Sequence, residues 1–184
     1  MRQGIVFAGF GGQGIILSGL ILCHAAIKEG RQVSHIPSYG AEMRGGTANC
    51  AVVVADSTIG SPLVPRPDVC VIMNKPSLAK YEPQLAADGL LLWNSSLIDE
   101  PPVRTDIRAV AVPANQIAEK EGSARAANMV MLGALAALRP ELASLEALIY
   151  GLGEAVSMRN KQLAAINIAC LRKGFGLVQS GQGK

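Results

Sequence analysis

Two stretches of this chain combine residue types with chemistry at a spacing that could use them. The first is Gly9-Phe10-Gly11-Gly12-Gln13-Gly14, set between the apolar run Ile5-Val6-Phe7-Ala8 and a long apolar segment over residues 15–27. A run short enough for a buried strand, then glycines, then a helix-length segment reads as strand, tight turn and helix. Backbone at such a turn approaches a ligand closely, and the free N–H groups and dipole at the start of the helix favour a phosphate or carboxylate. The second is Tyr39-Gly40-Ala41-Glu42-Met43-Arg44-Gly45-Gly46. Three glycines with an aromatic, an acid and a base supply the adaptable backbone, donors and acceptor that a binding or docking loop needs. Each stretch also has a plainer reading. The glycines at 9, 11 and 14 could serve only to pack the helix on its strand, and Glu42 with Arg44 could be a surface ion pair worth about 1 kcal/mol or less.

Glycines at 9, 11 and 14 fit the G-x-G-x-x-G fingerprint of dinucleotide-binding folds. That fold wants an acid at the end of its second strand to hold the ribose hydroxyls. Here the strand ends Ser34-His35-Ile36-Pro37-Ser38, with no Asp or Glu, and Arg31 precedes it. An independent dinucleotide-dependent oxidoreductase is therefore disfavoured. His24, near the polar end of the first helix ahead of Lys28 and Glu29, reads as an ordinary helix residue rather than a ligand.

Composition narrows the class further. At 184 residues the chain makes one domain, 1–184, with a sizeable core. Hydrophobic residues at 49% against 17% charged exceed what an ordinary monomer needs, which points to a subunit interface. A net charge of +3 with scattered basic residues and 4% aromatics lacks a nucleic-acid footprint. Cys23, Cys50, Cys70 and Cys170 lie far apart without C-x-x-C spacing, each within an apolar run, and read as buried thiols of a reducing cytoplasm. Gly-Gly-Gln-Gly interrupts any signal-like apolar region, and no apolar run reaches the roughly 18 residues of a membrane span. A soluble cytoplasmic protein is expected.

The elements that must position the two stretches follow from pattern. Residues 32–36 form a second strand closed by Pro37-Ser38, completing a βαβ unit. A strand over 48–54 follows, and residues 56–61 are expected to return along it, placing Ile59 on an antiparallel partner. Further strands are expected at 68–73, 89–93 and 107–112, with a helix opening at Asn74-Lys75-Pro76 and a loop through Pro101-Pro102. The last third reads as helical. Ala127, Val130, Met131, Ala134, Leu135 and Leu138 form one apolar stripe while Met129, Leu132 and Ala136 form another, so the second stripe meets either a partner or more core. Helices over 145–155 and 158–173 follow, the latter with Ser157 as N-cap and Gly174 as stop. The fold class is α/β: a three-layer αβα domain with a mixed, mostly parallel sheet, a Rossmann-like start and a helical C-terminal third.

Taken together, Gly9 to Ile15, Tyr39-Gly40-x-Glu42-x-Arg44-Gly45-Gly46, Ile59-Gly60-Ser61-Pro62 leading to Pro67-Asp68-Val69, and Ala127-Asn128-Met129-Val130-Met131-Leu132-Gly133-Ala134 resemble the gamma subunit of 2-oxoacid:ferredoxin oxidoreductases. Phe10 before the double glycine, and the short separate chain, look most like the 2-oxoglutarate branch. The resemblance implies oxidative decarboxylation of a 2-oxoacid to an acyl-CoA, carbon dioxide and reduced ferredoxin. It implies a heterotetramer in which alpha, beta and delta partners carry thiamine diphosphate, Mg²⁺ and iron–sulfur clusters, with CoA as co-substrate and no cofactor bound by this chain alone. No catalytic residue is expected here. Under the resemblance Gly11, Gly12 and Gly14 shape an anion-receptive turn, and Gln13 offers its amide to a phosphate or a partner's backbone. Arg44 clamps a CoA phosphate or partner carboxylate, Glu42 holds Arg44, and Tyr39 stacks or hydrogen-bonds at the same junction. The competing class is a stand-alone CoA- or nucleotide-binding module without redox chemistry.

Overall fold

The computed structural model describes residues 1–39, 47–156 and 160–180. Its organising strand is β1, Arg2–Phe10, in which six consecutive residues are buried between less buried ends. A strand covered on both faces belongs in the middle of a sheet. Five more strands complete it: β2 Gln32–Tyr39, β3 Thr47–Ala55, β4 Val69–Ile72, β5 Leu90–Asn94 and β6 Arg108–Val112, in the order β2-β3-β1-β4-β5-β6. β3 runs antiparallel to both β1 and β2, whereas β4, β5 and β6 add in parallel. The first βαβ unit is thus split, because β2 lies parallel to β1 with β3 between them.

The expected antiparallel return over residues 56–61 is not a strand. Both edges of β3 are already paired, so a further strand has no ladder to join, and Asp56 instead holds the Met1 amino group and Arg31. β2 also runs on through Pro37 to Tyr39. On an edge strand a residue without an N–H can turn that side outward and leave the ladder intact.

Side-chain alternation sends Ile5, Phe7, Val52, Val54, Val71 and Leu92 to one face of the sheet, and Val6, Ala8, Cys70, Ile72, Leu91 and Trp93 to the other. The first face carries α1 Ile15–Lys28, α3 Ala114–Lys120, α4 Ala127–Leu138, α5 Leu145–Ala155 and α6 Lys161–Gln179. The second carries α2 Lys75–Tyr81, N-capped by Asn74, and the 3-10 turn Glu82–Gln84. The three layers are present but unequal.

Both apolar stripes of α4 are covered within the chain, since residues 127–136 are all buried between the sheet and α6. Full burial of a Leu such as Leu132 or Leu171 stabilises by about 1.5–3 kcal/mol, which explains how a chain with so few charges uses its apolar residues. α1 is likewise covered twice, by the sheet and by α5, where Gly151 brings its backbone onto the Ile21 carbonyl. α3 has no counterpart among the elements expected from sequence. α6 begins at Lys161 with Asn160 as N-cap and runs through Gly174, while Ser157 lies outside the described residues.

Candidate functional site

The carboxyl ends of the parallel strands share one edge of the sheet. Phe10 ends β1, Ile72 ends β4, Asn94 ends β5 and Val112 ends β6. Tyr39, the last residue of β2, pairs with Ala48, and Phe10 pairs with Thr47. The glycine turn therefore springs from a strand end that neighbours Tyr39 and Thr47. Gly40, Glu42, Arg44, Gly45 and Gly46 lie outside the described residues.

Within the turn the glycines divide by role. A Cβ on Gly9 would come within 2.6 Å of Gln13 Oε1 and 2.9 Å of Met73 Cβ, so Gly9 is there for close packing. Gly14 has φ 72°, and a Cβ there would collide with Asn128. Gly12, at φ 94°, has open space where a side chain would project, and Gly11 is exposed. The plain packing reading holds at positions 9 and 14, and the open turn at 11 and 12.

Gln13 is largely committed to the turn itself. Its Oε1 accepts from the Phe10 N–H at 2.7 Å, and its Nε2 donates to the Met73 carbonyl at 3.4 Å. It staples the turn to the end of β4. Ser18 Oγ and Asn128 Nδ2 both donate to the Gly14 carbonyl, at 2.9 and 3.2 Å. Asn128, 4% exposed within the apolar stripe of α4, thus ties that helix to the start of α1. The first helical bond of α1 is Ser18 N–H to the Gly14 carbonyl, so the N–H groups of Ile15, Ile16 and Leu17 precede the ladder.

Beside the turn opens a cavity of about 230 Å³ lined by Gly12, Gln13, Met73, Asn115, Ala124, Arg125 and Ala127. Asn115 and Arg125 were not expected from sequence. Their only signal is position: Asn115 sits just after the last strand, and Arg125 just ahead of a helix with no acid in its first turn. The cysteines lie elsewhere, all four buried and unpaired, with burial pushing the Cys23, Cys50 and Cys70 thiols up to about 12. Among the described residues no group of three His, Cys, Asp or Glu side chains converges as a metal site would require. His24 packs its Cβ against Gly151, as an ordinary helix residue does.

The glycine turn, the start of α1 and the cavity thus lie together at the carboxyl edge of an open α/β sheet, the edge where sheets of this kind take ligands. The chain belongs to the pyruvate ferredoxin/flavodoxin oxidoreductase family, which it matches over residues 4–177, and its fold is that of the family's gamma subunits. Ketoisovalerate oxidoreductase subunit VorA of Methanothermobacter thermautotrophicus is 47% identical over 134 residues, which make up 73% of this chain and 28% of VorA. The keto/oxoacid ferredoxin oxidoreductase gamma subunit of Geobacter sulfurreducens superposes with a TM-score of 0.82 at 29% identity, over 97% of this chain and 99% of that one. The 2-oxoglutarate:ferredoxin oxidoreductase of Magnetococcus marinus gives 0.88 at 25% identity, over 97% of this chain and 31% of that one. The chain thus spans under a third of VorA and of the Magnetococcus chain.

Proposed function

We propose that this chain is the gamma subunit of a cytoplasmic, multisubunit 2-oxoacid:ferredoxin oxidoreductase and supplies a CoA-facing surface to an active site completed by its partners. The reaction is oxidation of a 2-oxoacid with CoA to an acyl-CoA and carbon dioxide, the electrons passing to ferredoxin. The observation that carries the reading is the open, acid-free turn at Gly11 and Gly12 on the carboxyl edge, in a member of this family. The Magnetococcus enzyme holds 2-oxoglutarate, coenzyme A and succinyl-CoA, which supports CoA as the ligand. Tyr39 at the end of β2, with Glu42 and Arg44 in the sequence that follows it, would complete the same surface.

Iron–sulfur clusters, thiamine diphosphate and Mg²⁺ are assigned to the alpha, beta and delta partners. Such clusters are held chiefly by Cys thiolates, and Cys23, Cys50 and Cys70 are packed in the core, where burial pushes their thiols up to about 12. Phe10 favours 2-oxoglutarate as the substrate, while the 47% identity to VorA favours a branched-chain oxoacid as the second reading. Ferredoxin reduction by the native complex, assayed with 2-oxoglutarate, 3-methyl-2-oxobutanoate and pyruvate, each with and without CoA, decides between them. A CoA-dependent rate with 2-oxoglutarate at least about ten times that of the others supports the first. Purification as a lone colourless chain that binds CoA would replace the enzyme reading with a stand-alone binding module.

A further inference from the structure

We infer that Asn128 is a positioning residue for the glycine turn: from inside α4 it holds the Gly14 carbonyl and so sets the direction of the first amide of α1. The inference rests on the CoA-facing reading of this edge and adds a residue that touches no ligand itself. Asn128 is the only polar side chain in α4, Ala127–Leu138, and lies buried among residues that are otherwise core. Burying an amide there costs stability unless its hydrogen bonds are made. Its Nδ2 donates to the Gly14 carbonyl at 3.2 Å and to Ser18 Oγ at 3.3 Å, partners 114 and 110 positions away in sequence. A carbonyl can only accept, so the nitrogen of the amide must be the atom that faces it. Gly14 is matched to this contact, since a Cβ there would collide with Asn128 Nδ2.

Fixing that carbonyl fixes a donor. Three groups converge on it: the Ser18 N–H at 2.9 Å, the Ser18 hydroxyl at 2.9 Å and Asn128 Nδ2 at 3.2 Å. Both Ser18 donors lie one turn along α1, so the carbonyl points down the helix. In a planar trans peptide the N–H opposes the C=O, and the N–H of Ile15 therefore points back off the helix start, to the side of the turn. Bonds accepted by the carbonyl also polarise the shared peptide and strengthen that N–H as a donor. Gly14, at φ 72°, makes no side-chain cap, and a glycine backbone rotates freely unless it is held. Ser18 holds it from within α1, whereas Asn128 holds it from a different helix. The plane of the Gly14–Ile15 peptide is thereby referenced to the core on which α4 packs. Burial keeps Asn128 off the surface, so it acts on the ligand only through this geometry.

Steady-state kinetics of the native complex tests this with Asn128→Asp, which keeps the shape and replaces the donor by an acceptor. KM for CoA rises roughly fivefold at about pH 8, while the maximal rate and the KM for the oxoacid stay within about twofold. Burial raises the pKa of a carboxyl group, and its protonated form regains an O–H donor. The penalty in Asn128→Asp therefore shrinks as the assay is taken down to about pH 6, and that in Asn128→Ala, which has no proton to gain, does not. Asn128→Ala also suits a helix and decides the matter alone if Asn128→Asp fails to assemble. A tie that only stabilises would lower the unfolding midpoint and leave KM for CoA unmoved, and that result overturns the inference. Gly12→Asp and Gly12→Asn share the backbone strain and differ in charge, so a higher KM for CoA in the first reports the CoA-facing turn by itself. If those two differ while the Asn128 variants match the parent, the turn remains CoA-facing and the positioning role falls. If none of the four moves KM, the CoA-facing reading falls with it.

Discussion

Cys50 shows how a single side chain here couples packing to protonation. It lies in β3, fully buried, and its Sγ donates to the carbonyl of Ile15 at 3.4 Å, tying the strand to the first residue of α1. Only the thiol can donate, and burial raises its pKa from the ordinary 9.0 to about 12, with Cys23 nearby adding to the shift. Cys70, on the opposite face, is raised to about 12 by burial alone. In the unfolded chain these thiols ionise near 9, whereas in the native chain they keep their protons until about 12. Between those values the unfolded state binds fewer protons, so stability falls as pH rises. Each thiol contributes up to about 1.4 kcal/mol per pH unit. Urea midpoints measured from pH 7.5 to 10.5 should therefore decline less steeply in Cys70→Ala than in the parent chain, while at neutral pH the native thiols resist maleimide until denaturant is added. Equal slopes in the two chains would refute the assignment. That these cysteines are buried was legible from their apolar neighbours and their separation. The bond from Cys50 to Ile15 was not, because it joins positions 35 residues apart in sequence.

Helices α4 and α6 meet through two glycines, one on each. A Cβ on Gly133 would collide with the Leu171 carbonyl, and one on Gly174 with the Val130 carbonyl, so the backbones touch at the crossing. Gly133→Ala and Gly174→Ala should each force the helices apart and destabilise the chain by about 3 kcal/mol or more, the upper end of what overpacking costs. Gly153 in α5 and Gly176 in α6 have open space where a Cβ would sit. Alanine at those two positions should instead stabilise by roughly 0.5–1 kcal/mol, through helix propensity and a less flexible unfolded chain. Thermal or urea unfolding of the four variants checks both signs, and a neutral Gly174→Ala would show that the crossing is looser than described. The contrast also explains a misreading. From sequence, a glycine after a helical stretch looks like a stop, and Gly174 was expected to end the last helix. In the fold it is an interior contact, and α6 continues to Gln179. Sequence cannot separate the two roles, because the partner carbonyl lies more than 40 positions away. The bounds of α5 could be read because Ser144 caps it locally, its side chain accepting from the Ala147 N–H.

Across the whole molecule, the strand and helix content was readable from periodicity, but the insertion of β3 between β1 and β2 was not. Local pattern marks β3 as a strand and cannot say which neighbours it takes. That insertion puts β1 at the point where the chain departs to opposite sides: through α1 to β2 and β3 on one side, and to β4 on the other. Ligands in open α/β sheets bind outside the carboxyl ends of strands at such a point. The sequence located the glycine turn for this reason of local chemistry. It could not locate Asn115 and Arg125, more than 100 positions later, because only the topology brings them to Gly12. The consequence is an asymmetry between the two edges of the sheet, measurable by hydrogen exchange on the native complex with and without CoA. Amides of residues 11–17, at the turn and the start of α1, should exchange more slowly when CoA is present. Those at the opposite edge, including Asp88, which donates to the Asp106 carbonyl at 2.9 Å, and Arg108, which donates to the Gly89 carbonyl at 2.8 Å, should not change. Protection confined to that opposite edge would move the ligand away from the glycine turn, since helix-start amides in contact with a phosphate must lose exchange with water.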